Sequence, residues 1–428
     1  MNNQEIIRRR IYCQTVKQIT GSDEYLVVGI DVAKQKHHAF MGTAKGKSLY
    51  RKLVFENDLD GFSRLLKTTE EIRSQNGLSK VVYGLEPTGN YHKPLARHLI
   101  SSDCNVVLVA GQAVKNNRKI LNGRWDKNDT KDAANVADLA SRGKCLYYDS
   151  PSQEIIDLRA LLSLRRRLKR EEHSLRMRIR NTLLALYFPE LDIYYSVCES
   201  ESLAIIRWCL DPDKIASMEF DQFFNLVTRT RRGVAQKLRL HKIHQDAVNS
   251  IGCPMGQTAQ FEAGMLVEKL NHIRQHIRKT EDLIEEISLN FSEYSYLLTI
   301  PGFGPYISAA VLAAISDPLR FENRRQVIKM SGYDLGANRS GKTSDKAVPV
   351  ISKNGNSELR YALFQAAKVA TARVDHFRSY FAKMLRGRER ERGIITKMRV
   401  KLAAKMLVIA WTLMKKREPF DPVHLNID

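Results

Sequence analysis

The sequence has few cysteines, and none of them lies in a pattern typical of a metal site or a disulfide framework. The six cysteines are scattered over 428 residues, without a CxxC pair and without a cluster of cysteine and histidine. Structural zinc sites and disulfide-rich folds depend on such spacings. The sequence therefore argues against both and favours a reducing compartment.

Long apolar runs are also missing. The segment KMLVIAWTLM near the end is apolar but only half as long as a membrane span, which favours a buried helix. The opening residues, MNNQEIIRRRIYCQTVKQIT, contain no apolar run of the length that a signal peptide needs. We therefore expect a soluble, cytoplasmic protein with no membrane partner.

Acidic residues are too few to balance the basic ones. The chain has 69 Lys and Arg against 47 Asp and Glu, a net charge of +22. Hydrophobic residues at 43% and charged residues at 27% are ordinary for a folded protein. Such an excess on a folded chain indicates a polyanionic partner. Ribosomal attachment or an anionic membrane would also explain the charge, but neither requires buried acids.

Between residues 25 and 150, apolar runs alternate with helical patterns. The predicted strands are EYLVVGIDVA, HHAFMGT, SLYRKLVF, KVVYGL and NVVLVAG. Three strands in hairpin connection, followed by a strand–helix–strand unit, predict a ribonuclease-H-like (RuvC-like) α/β domain over 25–150, after a basic N-terminal arm at 1–24. In such a sheet the first and fourth strands are neighbours.

The remainder is predicted to be mainly helical. Over 151–294 we expect a helical coiled-coil or linker region with a basic insert at 188–263. Its long amphipathic helices, 155–187 and 264–294, should pair, as a spacer between domains or as a dimerising element. A mainly helical C-terminal domain with a serine loop is expected over 295–428. There the segment IPGFGP predicts either a phosphate-binding hairpin between helices or a plain tight turn.

Four acids stand out by position. Asp31 and Glu86 end the first and fourth predicted strands, directly after apolar runs. Because the strands bury their neighbours, simple exposure to solvent is a poor explanation for a carboxylate at these positions. Asp129 and Asp132 lie three residues apart at the start of a predicted helix, hence on one face. Asp129 suits a helix cap. The four carboxylates together would instead repel one another unless a divalent cation were bound, which favours a Mg²⁺ or Mn²⁺ site for phosphoryl transfer.

These acids lie in motifs that resemble a known family. GIDVAK, GLEPTGNY and KNDTKDA are similar to the three motifs of the DEDD-type insertion-sequence transposases. IPGFGP, GANRSGK and ISKNGNSELR resemble the second half of that pattern. This insertion-sequence one-hundred-ten family has a RuvC-like nuclease domain and includes the Piv-type DNA invertases. The resemblance covers about 25–145 and 295–370.

The resemblance implies a role for each matching residue. Asp31, Glu86, Asp129 and Asp132 match the catalytic, metal-binding acids, and Ser340 matches the serine taken as the nucleophile. From the residues alone, Ser340 is a turn serine like its neighbours, although Arg339 and Lys342 are placed to hold a phosphate. The full set expected to bind nucleic acid is Lys127, Arg165, Arg166, Arg167, Arg231, Arg232, Arg339, Lys342, Lys353 and Arg360.

The resemblance further implies a DNA recombinase that acts on donor and target DNA through a phosphoserine intermediate. It also implies a structured guide RNA and a homo-oligomer, from a dimer to a tetramer, with composite sites. Two alternatives stay open. A metal-dependent junction-resolving nuclease needs the acids but no serine, whereas a non-catalytic nucleic-acid-binding protein needs neither.

Overall fold

The computed structural model describes residues 3–121, 129–195, 199–208, 210–228, 233–336 and 350–426. The chain forms two compact units, Met1–Ser150 and Pro151–Asp428. The elements of the first unit are α1 (Asn3–Gln18), β1 (Tyr25–Asp31), β2 (Lys36–Thr43), β3 (Ser48–Glu56), α2 (Leu59–Gln75), β4 (Lys80–Leu85), α3 (His92–Ser101), β5 (Val106–Leu108), α4 (Gly111–Leu121), α5 (Asp129–Ser141) and β6 (Leu146–Tyr147).

The first unit is built on one six-stranded sheet of order β3-β2-β1-β4-β5-β6. Strand β1 pairs antiparallel with β2 and parallel with β4, so the first and fourth strands are neighbours, as predicted from the sequence. Six residues of β1 are buried because both faces of the sheet are covered. Helices α2 and α3 share a core with one face, and α4 and α5 share a core with the other.

The N-terminal segment departs from the expected basic arm. Instead it forms α1, which is tied to the rest of the first unit by side-chain hydrogen bonds. The Tyr12 hydroxyl donates to the backbone oxygen of Cys145 at 3.0 Å, and Arg8 Nη2 donates to that of Tyr148 at 2.9 Å. Just after α1, Ile19 is buried in the hydrophobic core to which α5 contributes. These contacts make the segment part of the fold.

The second unit is almost entirely helical. Its main elements are α6 (Gln153–Arg178), α7 (Glu199–Trp208), α8 (Phe220–Val227), α9 (Val234–Val248), α10 (Gln257–Leu289), α11 (Ser292–Leu298), α12 (Pro305–Ile315), α13 (Arg324–Ser331), β7 (Leu335–Gly336), β8 (Val350–Ile351), α14 (Ser357–Arg373), α15 (Asp375–Leu385) and α16 (Ile394–Lys416). A π-helical turn, Ile179–Leu184, continues α6.

The two long helices α6 and α10 pair within the chain, as expected, although α10 begins seven residues earlier than predicted. Ion pairs join Arg165 to Glu281 at 2.6 Å, Arg274 to Glu172 at 3.1 Å and Arg178 to Glu262 at 2.6 Å. Residue numbers rise along α6 while they fall along α10, so the pair is antiparallel.

The helix pair contributes to two hydrophobic cores. The first part of α6 packs with α11 to α16, whereas the π-helical turn and the first half of α10 pack with the helices of 188–263. Helix α16, which contains the apolar run KMLVIAWTLM, is largely buried in the first of these cores, as predicted. Among the described residues, no helix combines the length and the apolar character needed to cross a membrane.

Candidate functional site

Asp31 and Glu86 meet at one edge of the sheet. In the parallel register of β1 and β4, Ile30 lies opposite Leu85, and the Glu86 amide donates to the Ile30 carbonyl at 3.3 Å. The residue after each member of this pair is an acid, Asp31 at the end of β1 and Glu86 just after β4, and both acids are half-buried. The carboxyl ends of adjacent parallel strands thus bring two carboxylates together from positions 55 residues apart in the chain.

Two glycines bring helix α5 against these strands. A Cβ at Gly29 of β1 would lie 2.2 Å from the backbone oxygen of Ala133 and 2.4 Å from the backbone nitrogen of Ala137. A Cβ at Gly84 of β4 would lie 3.3 Å from side-chain carbons of Val136 and Ala140. Because each glycine precedes its acid by two residues, both acids lie on the face of the sheet that α5 covers. Helix α5 therefore delivers its first turn to the same edge.

Asp132, in the first turn of α5, is held by Arg118 of α4. Arg118 Nε donates to Asp132 Oδ1 at 2.9 Å, and Arg118 Nη2 forms an ion pair with the same oxygen at 2.7 Å. The Asp132 side chain is only 4% exposed, so this partner offsets the cost of a buried charge. Helix α4 thereby supplies a residue to the site that sequence reasoning missed.

The three described acids, Asp31, Glu86 and Asp132, line a common cavity of about 580 Å³. Its lining comprises Asp31, Val32, Ala33, Lys34, His38, Glu86, Thr88, Tyr91, Gly111, Lys115, Arg118 and Asp132. Lys34 of the turn after β1 and two cations of α4 therefore line the same cavity as the carboxylates, which suits a site for a phosphodiester. Lys34, Thr88 and Tyr91 belong to the quoted motifs. The sequence predicts no element over 111–121, so nothing in it marks Lys115 and Arg118 as site residues.

The donor chemistry of the cavity fits Mg²⁺ or Mn²⁺. Carboxylate oxygens are the ligands that these hard cations prefer. A Cβ at Gly111 would lie 2.9 Å from Glu86 Oε1, so the absence of a side chain there keeps the carboxylate accessible. Within the described residues, no three acid, histidine or cysteine side chains lie close enough to form a metal centre. Asp129 begins α5, but its side chain lies outside what the structure describes, so convergence of all four acids stays a prediction.

The two neighbouring histidines of β2 have different surroundings. His38 lies opposite Asp31 in the antiparallel register and lines the cavity. His37 is fully buried on the other side, against Phe55 and Phe62, and its Nδ1 accepts the Ala33 amide at 3.2 Å. Burial lowers the pKa of His37 and favours its neutral form. His37 therefore supports the turn after Asp31.

The segment with Ser340 lies between β7 and β8. Residues 337–349, and with them Ser340, Arg339 and Lys342, lie outside the described residues. The flanking strands pair antiparallel, with Leu335 opposite Ile351. At their base the Ser352 hydroxyl donates to Asp334 Oδ1 at 2.6 Å. The two ends of the segment are therefore held side by side.

The remaining residues predicted to bind nucleic acid have different environments. Arg165 pairs with Glu281 and stacks on the Tyr306 ring at 3.9 Å, while Arg166 pairs with Glu358. Arg360 donates to the backbone oxygen of Ser331 at 2.7 Å. These three have contacts within the fold. Arg167 and Lys353 are exposed, and Lys127, Arg231 and Arg232 lie outside the described residues.

Two family models match the chain, and both describe transposases. A transposase model of the DEDD, IS110 type matches residues 28–189, a range that includes all four predicted acids. A model described as the transposase of the IS116/IS110/IS902 family matches residues 294–382, a range that includes Ser340. Together they cover more than half of the chain.

Several known proteins are similar to this chain at low sequence identity but over most of its length. The uncharacterized 44.8 kDa protein of insertion element IS116 from Streptomyces clavuligerus is 22% identical over 92% of this chain and 96% of its own length. The pilin gene-inverting protein of Moraxella bovis is 24% identical over 92% of this chain and 97% of its own. The transposase of insertion sequence element IS1111A from Coxiella burnetii is 22% identical over 69% and 68%.

Proposed function

This chain belongs to the IS116/IS110/IS902 family of transposases, and from that premise we propose that it cuts and rejoins the DNA of its own insertion sequence with a carboxylate-held metal and a serine nucleophile. The observation that carries the proposal is the single cavity lined by Asp31, Glu86 and Asp132. The name of the pilin gene-inverting relative points the same way, toward rearrangement of DNA.

The proposed roles of the cavity follow from its charges. Asp31, Glu86, Asp129 and Asp132 would hold Mg²⁺ or Mn²⁺, which in such sites stabilises charge on the attacking and leaving oxygens of a phosphoryl transfer. Lys34 and Lys115 on the cavity wall offer positive charge to the DNA backbone. The glycine-based packing of α5 keeps the acids in place before DNA arrives, so little reorganisation is required.

We assign the nucleophile to Ser340 on the family pattern. Its hydroxyl oxygen would attack the scissile phosphorus and form a phosphoserine ester, while the bond from phosphorus to the leaving sugar oxygen breaks. That sugar oxygen takes up a proton, and the serine gives one up. The ester conserves the phosphodiester energy, so a second sugar hydroxyl can reverse the step and rejoin the strands. Arg339 and Lys342, next to the serine in sequence, would hold the phosphate.

The proposal also includes a guide RNA and an oligomer. The family resemblance implies a structured RNA that pairs with donor and target DNA, and a net charge of +22 is compatible with two nucleic-acid partners. A dimer or tetramer would let one copy's cavity act on the serine of another copy.

Ser340→Ala tests the proposal, with Ser344→Ala in the same segment as the matched control. Each variant is expressed from a supercoiled plasmid that carries the gene with its own flanking DNA. We expect Ser344→Ala to recombine the plasmid and to form a protein–DNA adduct that resists denaturant. Ser340→Ala should do neither, although it folds and binds DNA normally. Cleavage that persists without rejoining in Ser340→Ala would favour the junction-resolving nuclease instead.

A further inference from the structure

We propose that Arg118 is an internal countercharge for Asp132, which it neutralises in the metal-free protein and which it must share with a divalent cation when one binds. The inference rests on the proposed metal site and assigns a positioning residue to it. Helix α4, which carries Arg118, contains none of the acids.

The geometry of the contact is the first support. Arg118 Nε donates to Asp132 Oδ1 at 2.9 Å, and Arg118 Nη2 lies 2.7 Å from the same oxygen, so both of these contacts are to Oδ1. The Asp132 side chain is 4% exposed and that of Arg118 is 26% exposed. A carboxylate buried this deeply is stable in its charged form only beside a positive charge. In the metal-free protein Arg118 supplies that charge.

A rigid link between the two helices is the second support. Asn117, next to Arg118 on α4, donates to Asn135 Oδ1 and to Asp138 Oδ2 of α5, both at 2.7 Å. Asn135 in turn donates to the backbone oxygen of Val114 at 2.8 Å. Asn117 and Asn135 are 5% and 2% exposed. This buried network fixes α4 against α5, so the guanidinium stays beside Asp132 without help from a ligand.

The two roles that Arg118 can have at a metal site predict opposite results. A hydrogen-bond partner that only orients a metal ligand raises cation affinity, so its loss weakens binding. A countercharge competes with the cation for the same carboxylate, so its loss tightens cation binding while it destabilises the metal-free protein. The near-complete burial of Asp132 and the double contact to one oxygen favour the countercharge.

The experiment compares the full-length wild type, Arg118→Met and Lys115→Met. Lys115 lies one turn before Arg118 and lines the same cavity, so Lys115→Met removes a cation from the same wall and leaves the Arg118–Asp132 contact in place. Mn²⁺ binding is measured from the electron paramagnetic resonance signal of free Mn²⁺, and Tm is measured with and without Mn²⁺. We expect Arg118→Met to lower the Mn²⁺ Kd about tenfold. It should also lower the metal-free Tm and enlarge the Tm gain on adding Mn²⁺.

Lys115→Met should change the Mn²⁺ Kd less than about threefold, because an exposed charge is screened by solvent. Unchanged or weaker Mn²⁺ binding in Arg118→Met would overturn the inference. If the wild type binds no Mn²⁺ that Asp31→Asn abolishes, the proposed metal site falls together with the inference. Binding that Asp31→Asn abolishes and Arg118→Met leaves unchanged overturns the inference alone.

A second measurement needs no metal and covers the case in which Arg118→Met folds poorly. Urea unfolding is compared for the wild type, Arg118→Gln, Asp132→Asn and the double variant. Arg118→Gln keeps a hydrogen-bond donor but removes the positive charge. Since Asp132→Asn removes the charge that Arg118 neutralises, Arg118→Gln should destabilise that background much less than the wild type. Equal losses in both backgrounds would show that Arg118 has no special relation to the Asp132 charge.

Discussion

Gly29 and Asp31 lie on the same face of β1, two residues apart, and that face packs directly against the backbone of α5. The glycine and the acid act together. The missing side chain of Gly29 lets α5 approach the sheet closely, and Asp31 lies at the edge where α5 begins. Gly84 of β4 and Glu86, just after that strand, have the same two-residue spacing, although Gly84 faces side chains of α5 instead of its backbone.

Gly29→Ala should destabilise the protein and separate α5 from the sheet. The new Cβ would clash with backbone atoms of α5 that cannot rotate away, which we expect to cost about 2–3 kcal/mol of unfolding free energy. Gly84→Ala is the matched control, since its Cβ meets side-chain carbons at 3.3 Å. Its cost should be about 1 kcal/mol or less, because those side chains can shift and alanine suits a strand better than glycine. Urea unfolding measures both; equal costs would contradict the close approach at Gly29.

Asp31→Asn and Glu86→Gln should each abolish Mn²⁺-dependent DNA cleavage and leave the fold intact. Each removes one negative charge from the cavity without changing the shape of the side chain. DNA affinity should stay equal or rise, because repulsion toward the phosphates is reduced. Asp60→Asn in the first turn of α2, away from the cavity lining, serves as the control and should cleave normally. Full activity in Asp31→Asn would remove that residue from the site.

DNA binding should weaken steeply with salt. If the protein neutralises about 6–10 phosphates, log K falls against log salt with a slope of roughly −5 to −9. Fluorescence anisotropy of a labelled duplex between low and physiological salt measures the slope. A slope near −1 would contradict the expectation of a polyanionic partner that the net charge raises.

Two neighbouring arginines of α6 should behave differently on mutation. Arg165 is tied to Glu281 and to the Tyr306 ring, with 17% of its side chain exposed, so Arg165→Ala should lower the unfolding free energy by about 1–2 kcal/mol. Arg167 is exposed, so Arg167→Ala should leave stability unchanged and weaken nucleic-acid binding instead. Urea unfolding and anisotropy separate the two effects. If Arg165→Ala weakened nucleic-acid binding and left stability unchanged, Arg165 would instead face the nucleic acid.

Stability should fall as the pH drops below the ordinary pKa of histidine. Burial lowers the pKa of His37 and of His92, so the unfolded chain takes up protons that the folded chain refuses. The stability is therefore complete above about pH 6.5 and is lost as the pH falls from there. His37→Asn keeps an acceptor for the Ala33 amide without titrating, so the difference in urea midpoint between pH 7.5 and 5.5 should shrink. An unchanged difference would exclude His37 as a source.

The sequence predicted the strand framework because its signals are local. Apolar runs that end in Asp31 and Glu86 marked both the strands and the edge where they meet. It did not predict Arg118, because α4, GQAVKNNRKIL, is mostly polar and the partner that gives Arg118 its role, Asp132, lies on another helix. Nor did the basic pattern RRR in α6 show that Arg165 is used for packing, since that depends on the distant partners Glu281 and Tyr306. Ser340 was marked by family resemblance alone.

The stem formed by β7 and β8 has a consequence for how well this chain tolerates changes between the two strands. Leu335 pairs with Ile351, and the Ser352 hydroxyl donates to Asp334, so the two ends of 337–349 are held together. The stem contacts therefore already offset the entropic cost of bringing these ends together. Doubling the length of a closed loop adds only about 0.6 kcal/mol of entropic cost. Insertions and rewritten sequences between these strands are therefore cheap for folding. Changes in the length of this segment should have little effect on α13 and α14, the helices on either side of the stem in the chain.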